Sequence, residues 1–172
     1  MVDPDDVRGI VAYNRAVLAR YERALRRLSW KESGKVRGTG HLSLRDTYIH
    51  IVQVQEGWLN FVVPARFSEM EGRPDPFEFR SWKEIGAWAN SVFRDVEGRA
   101  AKLTPRELRR VVKAPWMPGR YTVADAYFQV TMEQAHHLGE IIAMFWQMDR
   151  APPDMTWIDT RRGIRRGRPR RR

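Results

Sequence analysis

The sequence contains no cysteine among its 172 residues. This absence excludes disulfides, thiolate nucleophiles and thiolate metal ligands. Any metal ion would therefore have to be held by imidazole and carboxylate groups. With four histidines in the chain, each imidazole can be considered individually as a ligand.

Long apolar runs are missing as well. No run approaches the roughly 20 residues that a helix needs to cross a bilayer. The N-terminal sequence MVDPDDVRG is acidic and polar, unlike a secretory signal. We therefore expect a cytoplasmic protein without a transmembrane segment. Strand signals are weak too, and at most Val111–Val112 is expected to be extended.

The positive charge is concentrated at the C-terminus. The formal net charge is +10, and the last twelve residues, RRGIRRGRPRRR, carry eight arginines and no acid, so the rest of the chain carries +2. This pattern predicts a nearly balanced domain over residues 1–155 and a basic, disordered tail over residues 156–172. Residues 161–172 could bind nucleic-acid phosphates nonspecifically, or an acidic partner or membrane surface. A solvated terminus without a partner is the plainer alternative.

Four long stretches of the chain have helical hydrophobic periodicity. Each opens with a residue that commonly caps helices, and these residues are Asp3, Ser43, Ser81 and Thr122. The connection between the second and third stretches, about seventeen residues long, suits a crossover between helices that are not antiparallel neighbours. The sequence therefore predicts an all-α protein, a four-helix bundle with one long connection.

Ionisable residues interrupt the apolar stripe of the fourth predicted helix. Continuing the helical spacing from Val130 leads to Glu133 or Gln134 and then to His137. A buried charge is costly unless it is paired or coordinated. Because side chains four residues apart share a helix face, Glu133 and His137 can converge on one point. A surface Glu–His pair on a slightly rotated helix is the alternative.

A third ligand would have to come from another helix, and His50 is the natural candidate. It shares a face of the second predicted helix with Val54 and Phe61, which indicates an inward position. Two imidazoles and one carboxylate suit Zn²⁺, Ni²⁺ or Fe²⁺, and three protein ligands would leave coordination positions for water or substrate. A hydrogen-bonded core histidine is the plainer interpretation of His50.

Two segments resemble the DinB superfamily. Residues 44–59, LRDTYIHIVQVQEGWL, are similar to its second helix, in which a metal-binding histidine precedes a tryptophan by eight positions, as His50 precedes Trp58. Residues 122–142, TVADAYFQVTMEQAHHLGEII, are similar to its fourth helix, which carries His-x-x-x-His with a glycine two residues later. In that register Gly139 makes His137 the second ligand. Glu133 stands where the family has its other histidine.

The resemblance covers about residues 5–150 and carries several expectations. It implies an up-down-down-up bundle, a homodimer, and a divalent-metal site of His50, Glu133 and His137. It also implies a metal-dependent enzyme, a transferase or hydrolase that uses a small-molecule thiol. The alternative is a non-catalytic metal-binding or stress-related protein whose Arg-rich tail binds nucleic acid or an acidic partner.

Some residue roles remain open at this stage. His136 would replace His137 as a ligand if the fourth helix were rotated. Asn14 interrupts the first helix's apolar stripe and is either a hydrogen-bond partner of the site or a buried asparagine of no special role. No general base stands out, and Tyr48, Gln134 and His136 are the weak candidates.

Overall fold

The structure, a computed structural model, describes residues 2–38 and 43–167 and is mostly helical. In chain order the helices and strands are α1 Pro4–Leu25, α2 Trp30–Ser33, α3 Leu44–Gln55, a π-helical segment Glu56–Val62, two 3-10 helices Phe67–Glu69 and Pro76–Glu78, α4 Trp82–Ala100, α5 Pro105–Leu108, β1 Val111–Val112, β2 Tyr121–Thr122, α6 Val123–Trp146 and α7 Trp157–Gly167. Within these ranges, no helix has both the length and the apolar character required to cross a membrane.

The helix starts follow the capping residues seen in the sequence. The side chains of Asp3, Ser43, Ser81 and Thr122 each accept a hydrogen bond from a backbone N–H in the first turn of the following helix. These bonds satisfy donors that a helix leaves without an intrahelical partner. The four long predicted helices therefore begin where the sequence places them.

The segment Ser81-Trp82-Lys83-Glu84 has the S-x-x-E pattern of a capping box, in which the Glu84 side chain accepts a hydrogen bond from the N–H of Ser81. Instead, Glu84 Oε2 accepts a hydrogen bond from the N–H of Arg80, at 2.6 Å. The complete reciprocal box is at the start of α6, where Asp125 Oδ2 accepts from the N–H of Thr122 at 2.8 Å.

The second long helix changes its winding before it ends at Val62. From Glu56 to Val62 the turns are π-helical, and the N–H of Val63 donates to the carbonyl of Trp58, five residues earlier, at 2.9 Å. Such wider turns occur mostly as short insertions in α-helices and often near functional sites. The wider winding changes which side chains face inward, and Trp58 and Phe61 are both buried.

The long helices bury their apolar faces against one another. Helix α3 packs against α6, α1 packs against α4, and contacts between α1 and α6 and between α3 and α4 complete the arrangement. The largest fully buried side chains include Leu18, Tyr21, Tyr48, Phe93, Leu138 and Ile141. The contact between α3 and α6 brings His50 next to His137.

The C-terminal segment differs from its prediction. The sequence predicts disorder from residue 156, but Trp157–Gly167 forms helix α7, which packs on α1. Thr160 is 1% exposed, and its Oγ1 accepts a hydrogen bond from Arg20 Nη1 at 2.9 Å. The rings of Trp157 and Tyr13 meet edge-on with centroids 4.9 Å apart. The prediction of disorder is therefore wrong for Trp157–Gly167, and residues 168–172 lie outside the described residues.

Candidate metal centre

The three predicted ligands lie together in the structure. His50 comes from α3, and Glu133 and His137 come from α6; each offers a ligand atom, and these atoms all lie within 4.8 Å of one another. The two imidazole rings meet edge-on, with centroids 4.6 Å apart. The packing of α3 on α6 thus brings together groups that are more than eighty residues apart in sequence.

The cluster lies at the edge of the core. His137 is buried, with 8% of its surface exposed, whereas His50 and Glu133 are half-buried. The sequence allows either Glu133 or Gln134 to continue the buried face of α6. In the structure Gln134 does so, and it is 2% exposed. The glutamate therefore borders the core and keeps some access to solvent.

A second carboxylate orients the buried imidazole. Nδ1 of His137 lies 2.7 Å from Oε2 of Glu140, and its Nε2 lies 3.4 Å from Oε2 of Glu133. A histidine that binds a metal through one nitrogen usually donates its other N–H to a carboxylate or carbonyl, which fixes the ring. The pairing with Glu140 leaves Nε2 as the atom that faces Glu133.

Glu140 was missed by the prediction from sequence. Its signal was available, because an acid three residues after His137 lies on the neighbouring part of the same helix face. The apolar stripe of this helix indicates only Glu133 as a carboxylate of the site.

The carboxylate of Glu133 is also held in place. Gln129, one turn earlier on α6, donates a hydrogen bond from Nε2 to Oε1 of Glu133 at 2.8 Å. One carboxylate oxygen is thus occupied by Gln129, while the other points toward His137. Apart from its position four residues before Glu133, nothing in the sequence predicts this contact of Gln129.

The separation of the two candidate ligands on α6 is compatible with one shared divalent ion. Nitrogen and oxygen ligands lie about 2.0–2.2 Å from zinc, so two ligands of one tetrahedral ion lie roughly 3.3–3.5 Å apart. The separation of 3.4 Å between His137 Nε2 and Glu133 Oε2 is in that range. With the carboxylate of Glu140 on the other ring nitrogen, the donor set fits a borderline divalent metal.

A second group of possible ligands shares His137. It consists of His136, His137 and Glu140. Within it, the 2.7 Å between His137 Nδ1 and Glu140 Oε2 is a hydrogen-bond distance and is shorter than two ligands of one ion adopt. The side chain of His136 is 68% exposed, and its Nε2 lies 3.5 Å from Glu140 Oε1. The geometry therefore favours the group that includes His50 and Glu133.

Buried amides form a polar layer beside the cluster. Gln55 Nε2 donates to Gln134 Oε1 at 2.9 Å, which joins α3 to α6. Asn14 of α1 donates from Nδ2 to Thr131 Oγ1 at 3.1 Å. The partner of its amide nitrogen is thus a hydroxyl on α6. These amides connect three helices and stabilise the contact on which the cluster depends.

The three weak candidates for a general base occupy different environments. Tyr48 is fully buried and donates to Glu22 Oε2 at 3.4 Å, and burial raises the pKa of its hydroxyl well above the usual range. Tyr48 is therefore unsuited to accept a proton. Gln134 is engaged with Gln55, and an amide is not a base at neutral pH. Of the three, His136 is the exposed one.

The comparisons with known proteins agree on a family. The chain matches the DinB superfamily over residues 13–141. Among solved structures it is similar to a DinB-like protein from Bacillus subtilis, with a TM-score of 0.65 and 14% sequence identity over 86% of this chain and 97% of that one. At that identity the structural likeness concerns the fold alone. No curated protein matches the sequence. Because the family match covers most of the chain, this protein belongs to the DinB superfamily.

Proposed function

We propose that the protein binds a divalent metal ion through His50, Glu133 and His137. The observation that carries the proposal is the convergence of these three ligand atoms within 4.8 Å, from two helices. The orientation of His137 by Glu140 supports it, because carboxylates commonly orient histidine ligands. Imidazole and carboxylate donors make zinc, nickel and iron the candidate ions.

We further propose that the centre supports a metal-dependent reaction on a small molecule. A divalent ion with an open coordination position acidifies a bound water or thiol and polarises a substrate group. His50 and Glu133 are only half-buried, which leaves part of the cluster exposed to solvent. The resemblance favours a transferase that uses a thiol. A hydrolase is the second option, because two histidines and one glutamate are a ligand set of hydrolytic zinc sites.

The first experiment is the metal content of the purified, untagged protein by elemental mass spectrometry. We expect near-stoichiometric zinc, nickel or iron in the wild type and in His136→Ala, and loss of the metal in His50→Ala and His137→Ala. Circular dichroism would check that all variants remain folded. A wild-type protein that stays metal-free after reconstitution would contradict the proposal.

We propose an up-down-down-up arrangement of the four long helices. The π-helical segment that continues α3 runs parallel to α4, because the residue numbers on both rise together from the pair Glu56–Trp88 to the pair Asn60–Val92. Helix α3 runs antiparallel to α6, because the residue numbers rise on α3 and fall on α6 from the pair His50–His137 to the pair Gln55–Gln134. By the same criterion, the pairs Arg15–Asn90 and Arg26–Trp82 support an antiparallel arrangement of α1 and α4.

We propose that the protein forms a homodimer through the exposed face of α6. Apolar and small residues follow one another there at spacings of three and four, and all are exposed: Phe128, Met132, Ala135, Gly139, Ala143 and Trp146. Such a continuous apolar stripe on a surface helix is typical of an interface, and the small residues permit close approach of a second helix. Met132→Lys should lower the molar mass measured by light scattering to that of a monomer. Val36→Lys, at an exposed apolar position outside α6, should leave the mass unchanged.

The Arg-rich segment is the basis of a second candidate function. We propose that residues 161–172, with eight arginines and no acid, bind nucleic acid nonspecifically through phosphates. Arg162 is exposed on α7, whereas Arg161 lies over the ring of Trp157, 5.2 Å from its centroid. Removal of residues 168–172 should weaken binding to single-stranded DNA and reduce its salt dependence, while metal content stays constant. Unchanged binding would contradict this role.

A further inference from the structure

A cleft of about 320 Å³ lies near the end of α6 that is remote from the metal centre. Its walls come from the residues after the π-helical segment, the last turn of α4, helix α5 and the first turns of α6. Tyr127 of α6 lines the cleft and precedes His137 by ten residues, which corresponds to roughly 15 Å along the helix. The cleft is therefore separate from the candidate metal ligands.

Tyr127 is a buried polar group whose hydroxyl is unsatisfied. The residue is 2% exposed, and within residues 2–38 and 43–167 its hydroxyl has no hydrogen-bond partner. Burying a hydroxyl without a hydrogen bond costs free energy. Burial raises the pKa of Tyr127 to about 12, so the hydroxyl keeps its proton at neutral pH and can donate it in a hydrogen bond. A ligand with an acceptor oxygen would satisfy this donor.

The ionisable groups along the cleft are predominantly positive. Arg99, Lys102 and Arg110 line it, together with the single acid Glu107. Arg110 and Glu107 are paired at 2.7 Å, and Arg110 also donates to the carbonyl of Val63 at 2.5 Å. The charge of Glu107 is thus offset by Arg110, and Arg99 and Lys102 supply the excess positive charge.

Arg99 is placed to act together with Tyr127. It is half-buried, and its Nε lies 3.5 Å from Oδ1 of Asn60, a long hydrogen bond that orients the guanidinium. Arg99 and Tyr127 line the same cleft, and the positive charge of Arg99 opposes the effect of burial on the pKa of Tyr127. A guanidinium beside a phenolic donor is a combination that favours oxyanions.

We propose that this cleft binds a small organic oxyanion, through a phosphate or carboxylate group held by Tyr127, Arg99 and Lys102. The apolar side chains of Val63 and Leu103, which also line the cleft, would contact the organic part of the ligand. The site is independent of the proposed metal centre, and neither proposal requires the other.

The test is isothermal titration calorimetry with inorganic phosphate and, separately, with acetate at low ionic strength. We expect saturable binding of at least one of the two anions. Tyr127→Phe, which removes only the hydroxyl, should weaken it about tenfold, and Arg99→Gln should weaken it by about the same factor or more. The matched control is Arg94→Gln, an exposed arginine on the same helix that does not line the cleft, and it should bind like the wild type.

The outcomes separate the anion classes and the two proposals. Tyr127-dependent binding of phosphate alone, or of acetate alone, identifies the group that the cleft recognises. Equal binding by the wild type and Tyr127→Phe, or no saturable binding of either anion, overturns the proposal. His50→Ala should bind the anion normally, so failure of the metal centre would leave this result unaffected. A thermal melt checks folding, and without ligand Tyr127→Phe should be at least as stable as the wild type because it removes an unsatisfied hydroxyl.

Discussion

At the scale of single residues, Glu140 has the clearest expected effect on metal affinity. Because it holds Nδ1 of His137 at 2.7 Å, it should fix the orientation and raise the basicity of the imidazole. We expect Glu140→Gln to lower metal affinity by about 10–100-fold while the protein stays folded. Competition with a chromophoric chelator would measure the change.

The same measurement distinguishes the two possible ligand groups. If His136, His137 and Glu140 held the ion, Glu140→Gln and His136→Ala would both abolish binding, and His50→Ala would have little effect. If His50, Glu133 and His137 hold the ion, His50→Ala should lower the metal affinity most of the three variants and His136→Ala least.

Glu56 should make stability depend on pH. Its carboxyl is buried between Arg73, at 2.5 Å, and Nε1 of Trp88, at 3.1 Å, and burial raises its pKa above the usual value despite these partners. The folded state therefore binds this proton more tightly than the unfolded chain does. The contribution of Glu56 to stability is fully present below the unfolded pKa and is lost as the pH rises through the folded pKa.

We therefore expect Glu56→Gln to be more stable than the wild type at pH 7, because the amide resembles the protonated acid and can still accept from Trp88. The gain should shrink as the pH falls toward 4. Urea unfolding between pH 4 and pH 8 measures it, with the exposed Glu97→Gln on α4 as the control. Destabilisation of Glu56→Gln at pH 7 would mean that the ion pair with Arg73 outweighs the cost of burial.

At the scale of helices, the start of α6 depends on its capping box. Thr122 accepts from the N–H of Asp125 at 3.1 Å and its own N–H donates to that aspartate at 2.8 Å. We expect Thr122→Ala to lower the free energy of unfolding by about 1 kcal/mol, whereas Thr122→Ser, which keeps the hydroxyl, should lose less. Urea denaturation would measure both. Equal losses in the two variants would assign the effect to the methyl group and not to the cap.

Helix starts were predictable from the sequence, but the winding inside a helix was not. Capping depends on a side chain and a backbone N–H two or three residues away, so Asp3, Ser43, Ser81 and Thr122 are visible as local patterns. The π-helical turns between Glu56 and Val62 have no such signature. They depend on how α4 and α6 pack against this segment, which contacts both.

At the scale of the whole molecule, helix α7 is a structural part of the described protein. Deleting residues 157–172 would remove the aromatic contact between Trp157 and Tyr13 and the hydrogen bond between Arg20 and Thr160. We expect this deletion to lower the free energy of unfolding by about 1–3 kcal/mol, since one aromatic pair and one hydrogen bond each contribute about 1 kcal/mol. Deletion of residues 168–172 should leave thermal stability nearly unchanged. Equal melting temperatures for the two truncations would contradict a stabilising role of α7.

The sequence by itself determined the helical class, the starts of the long helices and membership of the DinB superfamily, which the family match confirms. These features depend on local spacing and on residue type. His50, Glu133 and His137 could also be nominated as ligands, because charged groups on an apolar stripe need partners. Their metal-binding role stays a prediction.

The tertiary structure decided which groups actually meet. It placed Gln129 and Glu140 on the candidate ligands, positioned Gln134 rather than Glu133 in the core, and packed α7 onto α1. The physical reason is that these contacts depend on the rotation of each helix about its own axis and on its neighbours. Periodicity limits that rotation to a face of the helix, and only packing selects the side chains within that face.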